Sequence, residues 1–136
     1  MNEAVLDASV VVAWFEARPV RWRDEARRAR AAYESGGLRI LAPPLIRLEL
    51  MNATGRRWGW SQETLISLAT TIDDLAFEMH EPDIVAIASW IGKGLTAYDA
   101  AYVAVAQATG AVLVTTDTTI LALAGELAVH ITDFSA

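Results

Sequence analysis

The chain has 136 residues, no cysteine, a hydrophobic fraction of 54% and a formal net charge of −6. Lacking cysteine, it holds neither disulfides nor thiolate metal sites, and its acidic balance excludes a generic basic coat for nucleic acid. No apolar run approaches the length of a membrane span and no basic-then-apolar leader opens the chain, so the expectation is one cytoplasmic domain over residues 1–136, off the membrane.

Glu3 to Leu6 reads as a short first strand running into Asp7, followed by a helix from Ala8 to Phe15 rich in β-branched residues. Asp7 thus lies at a strand-to-helix turn with Ser9 two residues on, either as a cap on that helix or as a site residue. Arg18 to Tyr33 is a charged helical region ended by Ser35-Gly36-Gly37. It carries six of the eleven basic residues. Such a run is a solvated helix face or a phosphate-facing one. Leu38 to Ala42 is a second strand, and Pro43-Pro44 suits the first turn of the helix from Leu45 to Arg57.

Glu49 lies inside that helix, with Leu45 and Ile46 before it and Ala53 after it at helical spacing. This puts a carboxylate on the apolar stripe, where it has no capping role and needs a partner or a metal. A buried salt bridge to an arginine is the competing reading. Asn52 lies one turn along the same face. The following Gly55-Arg-Arg-Trp-Gly-Trp60 interleaves arginine with tryptophan, which suits single-stranded nucleic acid, a protein interface or an ordinary packed turn.

Ser61 to Leu75 is a capped helix, Phe77 to His80 a short third strand, and Pro82 to Gly92 a helix with acids at its front. His80 has no second histidine nearby and does not suggest zinc. The stretch from Gly94 to Asp117 is the most informative. Thr96 is an N-cap with Asp99 three residues on, Gly110 ends the helix, and Ala111 to Val114 is a buried strand delivering Asp117. Asp99 is either the acid of a capping box or a ligand, and Asp117 either caps the next helix or joins a site. Ile120 to Ala124 is a small helical turn. Ala128 to Ile131 is a last strand, with His130 pointing outward on the sheet edge. The high apolar fraction implies helices buried on more than one side, or an apolar partner surface.

Four motifs stand in order: Val5-Leu-Asp-Ala-Ser9, Leu48-Glu-Leu-Met-Asn52, Leu95-Thr-Ala-Tyr-Asp-Ala-Ala-Tyr102 and Leu113-Val-Thr-Thr-Asp117. Together they resemble a PIN domain, in particular the VapC toxins of prokaryotic toxin–antitoxin pairs. The resemblance implies an α/β fold, a three-layer α/β/α sandwich around a parallel five-strand sheet in the order 3-2-1-4-5. Asp7 and Asp117 would then flank the point where the winding reverses, and ligands collect at such points. It further implies a Mg²⁺- or Mn²⁺-dependent endoribonuclease with a four-carboxylate metal site of Asp7, Glu49, Asp99 and Asp117. Asp7 and Asp99 would be direct ligands, with Ser9, Asn52, Thr115 and Thr116 in support. An all-carboxylate site suits a hard cation. The implied partners are an RNA substrate, a VapB-like antitoxin and a second copy in a homodimer. Two other readings stay open: a PIN nuclease of RNA maturation without antitoxin, and a catalytically idle PIN fold used as a binding module. A receiver-type α/β domain would want a lysine near the last strand, and Lys93 is misplaced for it.

Overall fold

The sheet is built from β1 (Asn2–Leu6), β2 (Leu38–Ala42), β3 (Glu78–Met79), β4 (Val112–Thr115) and β5 (Ala128–His130). All its pairings are parallel, in the order β3-β2-β1-β4-β5. This computed structural model describes residues 2–16, 19–57 and 59–136, with residues 56 and 57 described by backbone alone. Seven helices accompany the sheet among the described residues: α1 (Ala8–Val11), α2 (Arg23–Glu34), α3 (Leu45–Arg57), α4 (Gln62–Asp74), α5 (Ile84–Gly92), α6 (Ala97–Thr109) and α7 (Thr118–Ala124). The result is the expected α/β/α sandwich.

β1 is the central strand, and its apolar residues Ala4, Val5 and Leu6 are fully buried, as a strand covered on both faces requires. The winding reverses between β1 and β4. Leu6 pairs with Val114 there, and the Asp7 N–H donates to the Val114 carbonyl at 3.3 Å. The ends of these two strands are therefore locked side by side.

α6 is buried on nearly all sides. Ala100 through Ala106 are all below the surface, which small side chains permit because they let neighbouring elements approach closely. Trp14, Phe77 and Tyr33 pack edge to face at 5.8 Å and 5.3 Å between centroids, sealing the sheet beneath α2. The Trp14 indole N–H donates to the Ala26 carbonyl at 2.8 Å, which fixes α2 against the turn after α1.

Several boundaries differ from the sequence expectation. The helix after Asp7 is α-helical only to Val11 and continues as a 3₁₀ turn over Val12–Phe15. Three consecutive valines restrict the α conformation, and short 3₁₀ segments are its usual substitute at helix ends. α2 starts at Arg23 rather than Arg18, because Trp22 adopts a left-handed backbone conformation, φ 60°, that interrupts any helix before it. Arg18 itself lies outside the described residues. β4 is displaced by one residue, to Val112–Thr115. β3 shrinks to two residues, although the His80 N–H still donates to the Ala42 carbonyl at 2.9 Å.

Two glycines give a test of this backbone with opposite signs. Gly110 closes α6 at φ 77°, and a Cβ there meets nothing within 4 Å. Gly110→Ala should therefore cost about 1 kcal/mol through conformational strain alone. Gly92 ends α5 without a positive φ and with equally open space, so Gly92→Ala should stabilise by up to about 1 kcal/mol. Urea unfolding of the two variants beside the parent checks both signs.

Candidate active site

Asp7 follows β1 directly and is only 5% exposed. Its Oδ1 accepts the Ser9 hydroxyl at 2.5 Å and, as N-cap of α1, the Val10 N–H at 3.4 Å. Its Oδ2 accepts the hydroxyl of Thr115, the last residue of β4. Thr115 is fully buried, and its extended backbone aims the hydroxyl at the neighbouring strand's end. Burial is the main influence on the Asp7 carboxyl and pushes it up to about 6. The Ser9 and Thr115 hydroxyls and the Val10 N–H hold it lower than burial alone would, and the charge of Asp99 adds to the rise.

The same hydroxyls knit the loop after β4 to the loop after β1. The Asp117 N–H donates to the Thr115 hydroxyl at 3.0 Å, and the Thr116 hydroxyl donates to Ser9 Oγ at 3.0 Å. Asp117 caps α7 through Oδ1, which accepts the Ile120 N–H at 2.9 Å. The capping reading of Asp117 is thus realised, with one of its two carboxylate oxygens.

Glu49 is half-buried. The fully buried stripe of α3 is Ile46, Leu50 and Thr54, and Glu49 stands on its border. No salt bridge forms to it among the described residues. Its partner is Tyr102 of α6, whose hydroxyl donates to Oε1 at 2.5 Å. Burial raises the Glu49 carboxyl, the Tyr102 bond counteracts this, and the Asp99 charge adds to the rise. Tyr102 is 1% exposed, and its hydroxyl is held firmly protonated by burial, by its bond to Glu49 and by the nearby charges of Glu49 and Asp7.

Asp99 sits in the first turn of α6, where the Thr96 hydroxyl accepts its N–H at 3.1 Å. Burial raises its carboxyl, the charge of Asp117 raises it further, and the Thr96 side chain lowers it. Asp99 is therefore the hub of the four acids, coupled electrostatically to Asp7, Glu49 and Asp117.

The coupling is pairwise. Among the described residues, no three Asp, Glu or His side chains are gathered into a ready-made metal-ligand group. Nor does any lysine or arginine among the described residues form a salt bridge with one of the four acids. Mg²⁺ asks for less than such a cage, because it is held through one or two carboxylates and keeps several waters. The all-oxygen donor set and the like charges around Asp99 fit a hard divalent cation.

Tyr102 is the residue whose role the motif reading did not assign. A tyrosine on the buried side of a helix needs a partner for its hydroxyl, and it lies one turn after Asp99; those signals could have found it. Asn52 is exposed and lies with Glu49, Ser9 and Thr116 on the wall of a cleft of about 590 Å³. In the basic region, Arg27 donates to the Glu16 carbonyl at 3.2 Å, while Arg28 and Arg30 pair with Glu25 and Glu34. These three bear out the solvated-face reading. His130 is half-buried rather than outward-pointing, because its ring meets Trp22 edge to face at 4.6 Å. His80 bonds Glu78 at 3.1 Å. Of the Arg56-to-Trp60 turn, the two arginine side chains and Trp58 lie outside the described residues.

The crystal structure of PAE2754 from Pyrobaculum aerophilum is similar to this chain, with a TM-score of 0.66 and 24% sequence identity over 96% of this chain and 92% of that one. At that identity the likeness speaks for the fold alone. No match was found among curated proteins. The PIN domain family matches residues 4–126, and with the sheet order and strand-end acids described above, the chain belongs to that family.

Proposed function

We propose that this chain is a divalent-metal-dependent endoribonuclease, the VapC-like toxin of a toxin–antitoxin pair. PIN domains are generally metal-dependent nucleases acting on RNA. The observation that carries the reading here is the meeting of Asp7 with Thr115 at the sheet's switch point, with Asp117 in the loop after β4 tied to the same hydroxyl. The charge of Asp99 is felt at both Asp7 and Glu49, and perturbed carboxylates of this kind concentrate at functional sites.

In this reading Asp7 and Asp99 hold a Mg²⁺ or Mn²⁺ ion, and Glu49 and Asp117 complete the pocket directly or through water. The bound ion would supply an activated water and a Lewis acid for phosphodiester hydrolysis. Ser9 and Thr115 fix the plane of the Asp7 carboxylate from both sides, and Thr116 holds Ser9 in place. Tyr102 orients Glu49, and its retained proton keeps it a donor throughout. Exposed apolar side chains support the partner expectations. Ile84, Val85 and Ile91 on α5 suit a homodimer face, and Leu48, with Leu45 and Met51 in a groove between α3 and α4, suits the apolar side of an antitoxin segment.

The first test is chemical and cellular. Purified protein should cleave RNA with Mg²⁺ or Mn²⁺ and stop in excess chelator. Asp7→Asn and Asp99→Asn should lower cleavage by at least about a hundredfold, taking the scale at which a positioned group contributes to catalysis. Expression of the parent should arrest growth and expression of either variant should not. Cleavage persisting in chelator would overturn the metal mechanism.

The pH dependence of the metal-free protein is a second test. Asp7 has a native value raised from 3.8 to about 6, so the folded state binds more protons than the unfolded one between those values. The contribution of Asp7 to stability is therefore fully present below pH 4 and is lost as pH rises through 6. At about 1.4 kcal/mol per pKa unit the loss is about 3 kcal/mol. Asp7→Asn should flatten this profile and melt above the parent at pH 7 without metal. Thermal melts across pH, with chelator present, measure it.

Glu49 gives the third. Glu49→Gln keeps the acceptor for Tyr102 and removes a charge beside Asp99. Without metal the variant should be more stable by on the order of 1 kcal/mol, since the groups are partly solvated and screened. It should also gain less from added Mg²⁺ and cleave RNA poorly. A drop in metal-free melting temperature with cleavage retained would remove Glu49 from the site.

A further inference from the structure

Glu49 has the longest side chain of the four acids and a single contact that orients it. Asp7 is fixed by three donors, the Ser9 and Thr115 hydroxyls and the Val10 N–H, and Asp117 by the Ile120 N–H. Among the described residues the Glu49 carboxylate accepts one hydrogen bond, from the Tyr102 hydroxyl at 2.5 Å. A glutamate left free samples many rotamers, so an ion that must first gather it binds less tightly. Whatever holds Glu49 therefore bears on how well a cation is held.

Tyr102 acts from a rigid base. It lies on α6 one turn after Asp99, in the stretch from Ala100 to Ala106 that is buried throughout, so neither residue shifts without the helix. Its hydroxyl oxygen is also met by the backbone of Ala8, the residue after Asp7, and feels the charges of both Glu49 and Asp7. One oxygen thus joins α6, which carries Asp99, to α3, which carries Glu49, and to the turn after β1, which carries Asp7. Packing alone does not ask for this group, since phenylalanine would fill the same space and a buried hydroxyl is costly without a partner. Its chemistry suits the place. A lysine or arginine there would neutralise the acids and compete with an incoming cation, whereas a hydroxyl that keeps its proton donates to the carboxylate and leaves its charge intact.

We propose that Tyr102 is the positioning residue of the cation site, its hydroxyl setting where Glu49 stands relative to Asp7 and Asp99 before an ion arrives. This rests on the metal-nuclease reading above and deepens it: affinity for the ion depends on a side chain that does not touch the ion. Oε1 of Glu49 is engaged by the tyrosine, which leaves Oε2 as the oxygen available to the ion.

The test measures Mn²⁺ binding to the intact chain through the electron paramagnetic resonance of the free ion, so neither RNA nor turnover enters. Tyr102→Phe keeps the ring and removes the hydroxyl, and a melt in chelator checks that it folds. It should weaken Mn²⁺ binding by about tenfold or more, the usual effect of removing a group that orients a ligand. In a Glu49→Ala background the same substitution should change affinity by less than about twofold, because the residue it acts through is gone. Unchanged affinity in Tyr102→Phe would overturn the positioning role, and so would an equal loss in both backgrounds, which marks a general loosening of the fold. A second measurement needs no Tyr102 variant. The buried Tyr102 hydroxyl proton should give an NMR signal that moves when Mg²⁺ is added and is lost in Glu49→Ala, while that of Tyr33, bonded to the Leu75 carbonyl, stays. A Tyr102 signal indifferent to Mg²⁺ would overturn the proposal even where Tyr102→Phe fails to fold. The metal reading is judged on the parent. A parent that binds no Mn²⁺ removes that reading and this role with it, whereas parent binding that Tyr102→Phe leaves unchanged keeps the cation site and removes the role of Tyr102 alone.

Discussion

The parallel pairing of β1 with β4 sets the positions on which the candidate site depends. Leu6 lies opposite Val114, so the next residue of each strand, Asp7 and Thr115, meet as carboxylate and hydroxyl in a fully buried contact. A shift in this register would carry Thr115 away from Asp7, leaving a buried carboxylate short of a donor. The same register places Asp117 and Thr116 where their N–H and hydroxyl reach Thr115 and Ser9. The site is thus held by strand pairing at its base and by hydroxyl donors above it. The two acids from helices, Glu49 and Asp99, come to it from α3 and α6.

Much of this could be read from residue order. All five strands stand within a residue or two of where residue order places them, Thr96 and Gly110 bracket α6, and its mid-helix position singles out Glu49. What escaped the reading has a common physical cause: it depends on contacts between elements distant in the chain. Thr115 joins β4 because its hydroxyl finds Asp7, which no local propensity announces. Tyr102 acquires its role only when α6 is laid across α3, bringing residues 53 positions apart within 2.5 Å. Trp22 leaves the helical region under the constraint of His130 from the far end of the chain. The choice of 3₁₀ over α after Val11 is a near balance of propensities that packing decides.

The competing local readings of the acids turn out to be compatible with a site. Asp7 caps α1 and Asp117 caps α7, and Asp99 lies in a capped first turn. Capping occupies one oxygen of a carboxylate and orients the whole group, so a helix N-terminus both fixes the side chain and favours its ionised form. That favourable field acts against the burial and mutual repulsion that raise Asp7 and Asp99. Capping thus orients the carboxylates of Asp7 and Asp117 without excluding a further role for either.

The distribution of charge bears on how an acidic chain would meet RNA. Arg28 and Arg30 pair with carboxylates on their own helix, and Arg27 is tied to a backbone carbonyl. Attraction from these three arginines is thus weak, and exposed charges are screened beyond about 10 Å at ordinary ionic strength. In the proposed reading, a divalent ion held by the carboxylates would supply positive charge at the site itself. A protein arranged in this way gains little from duplex backbones, whose regular phosphates reward a broad basic face.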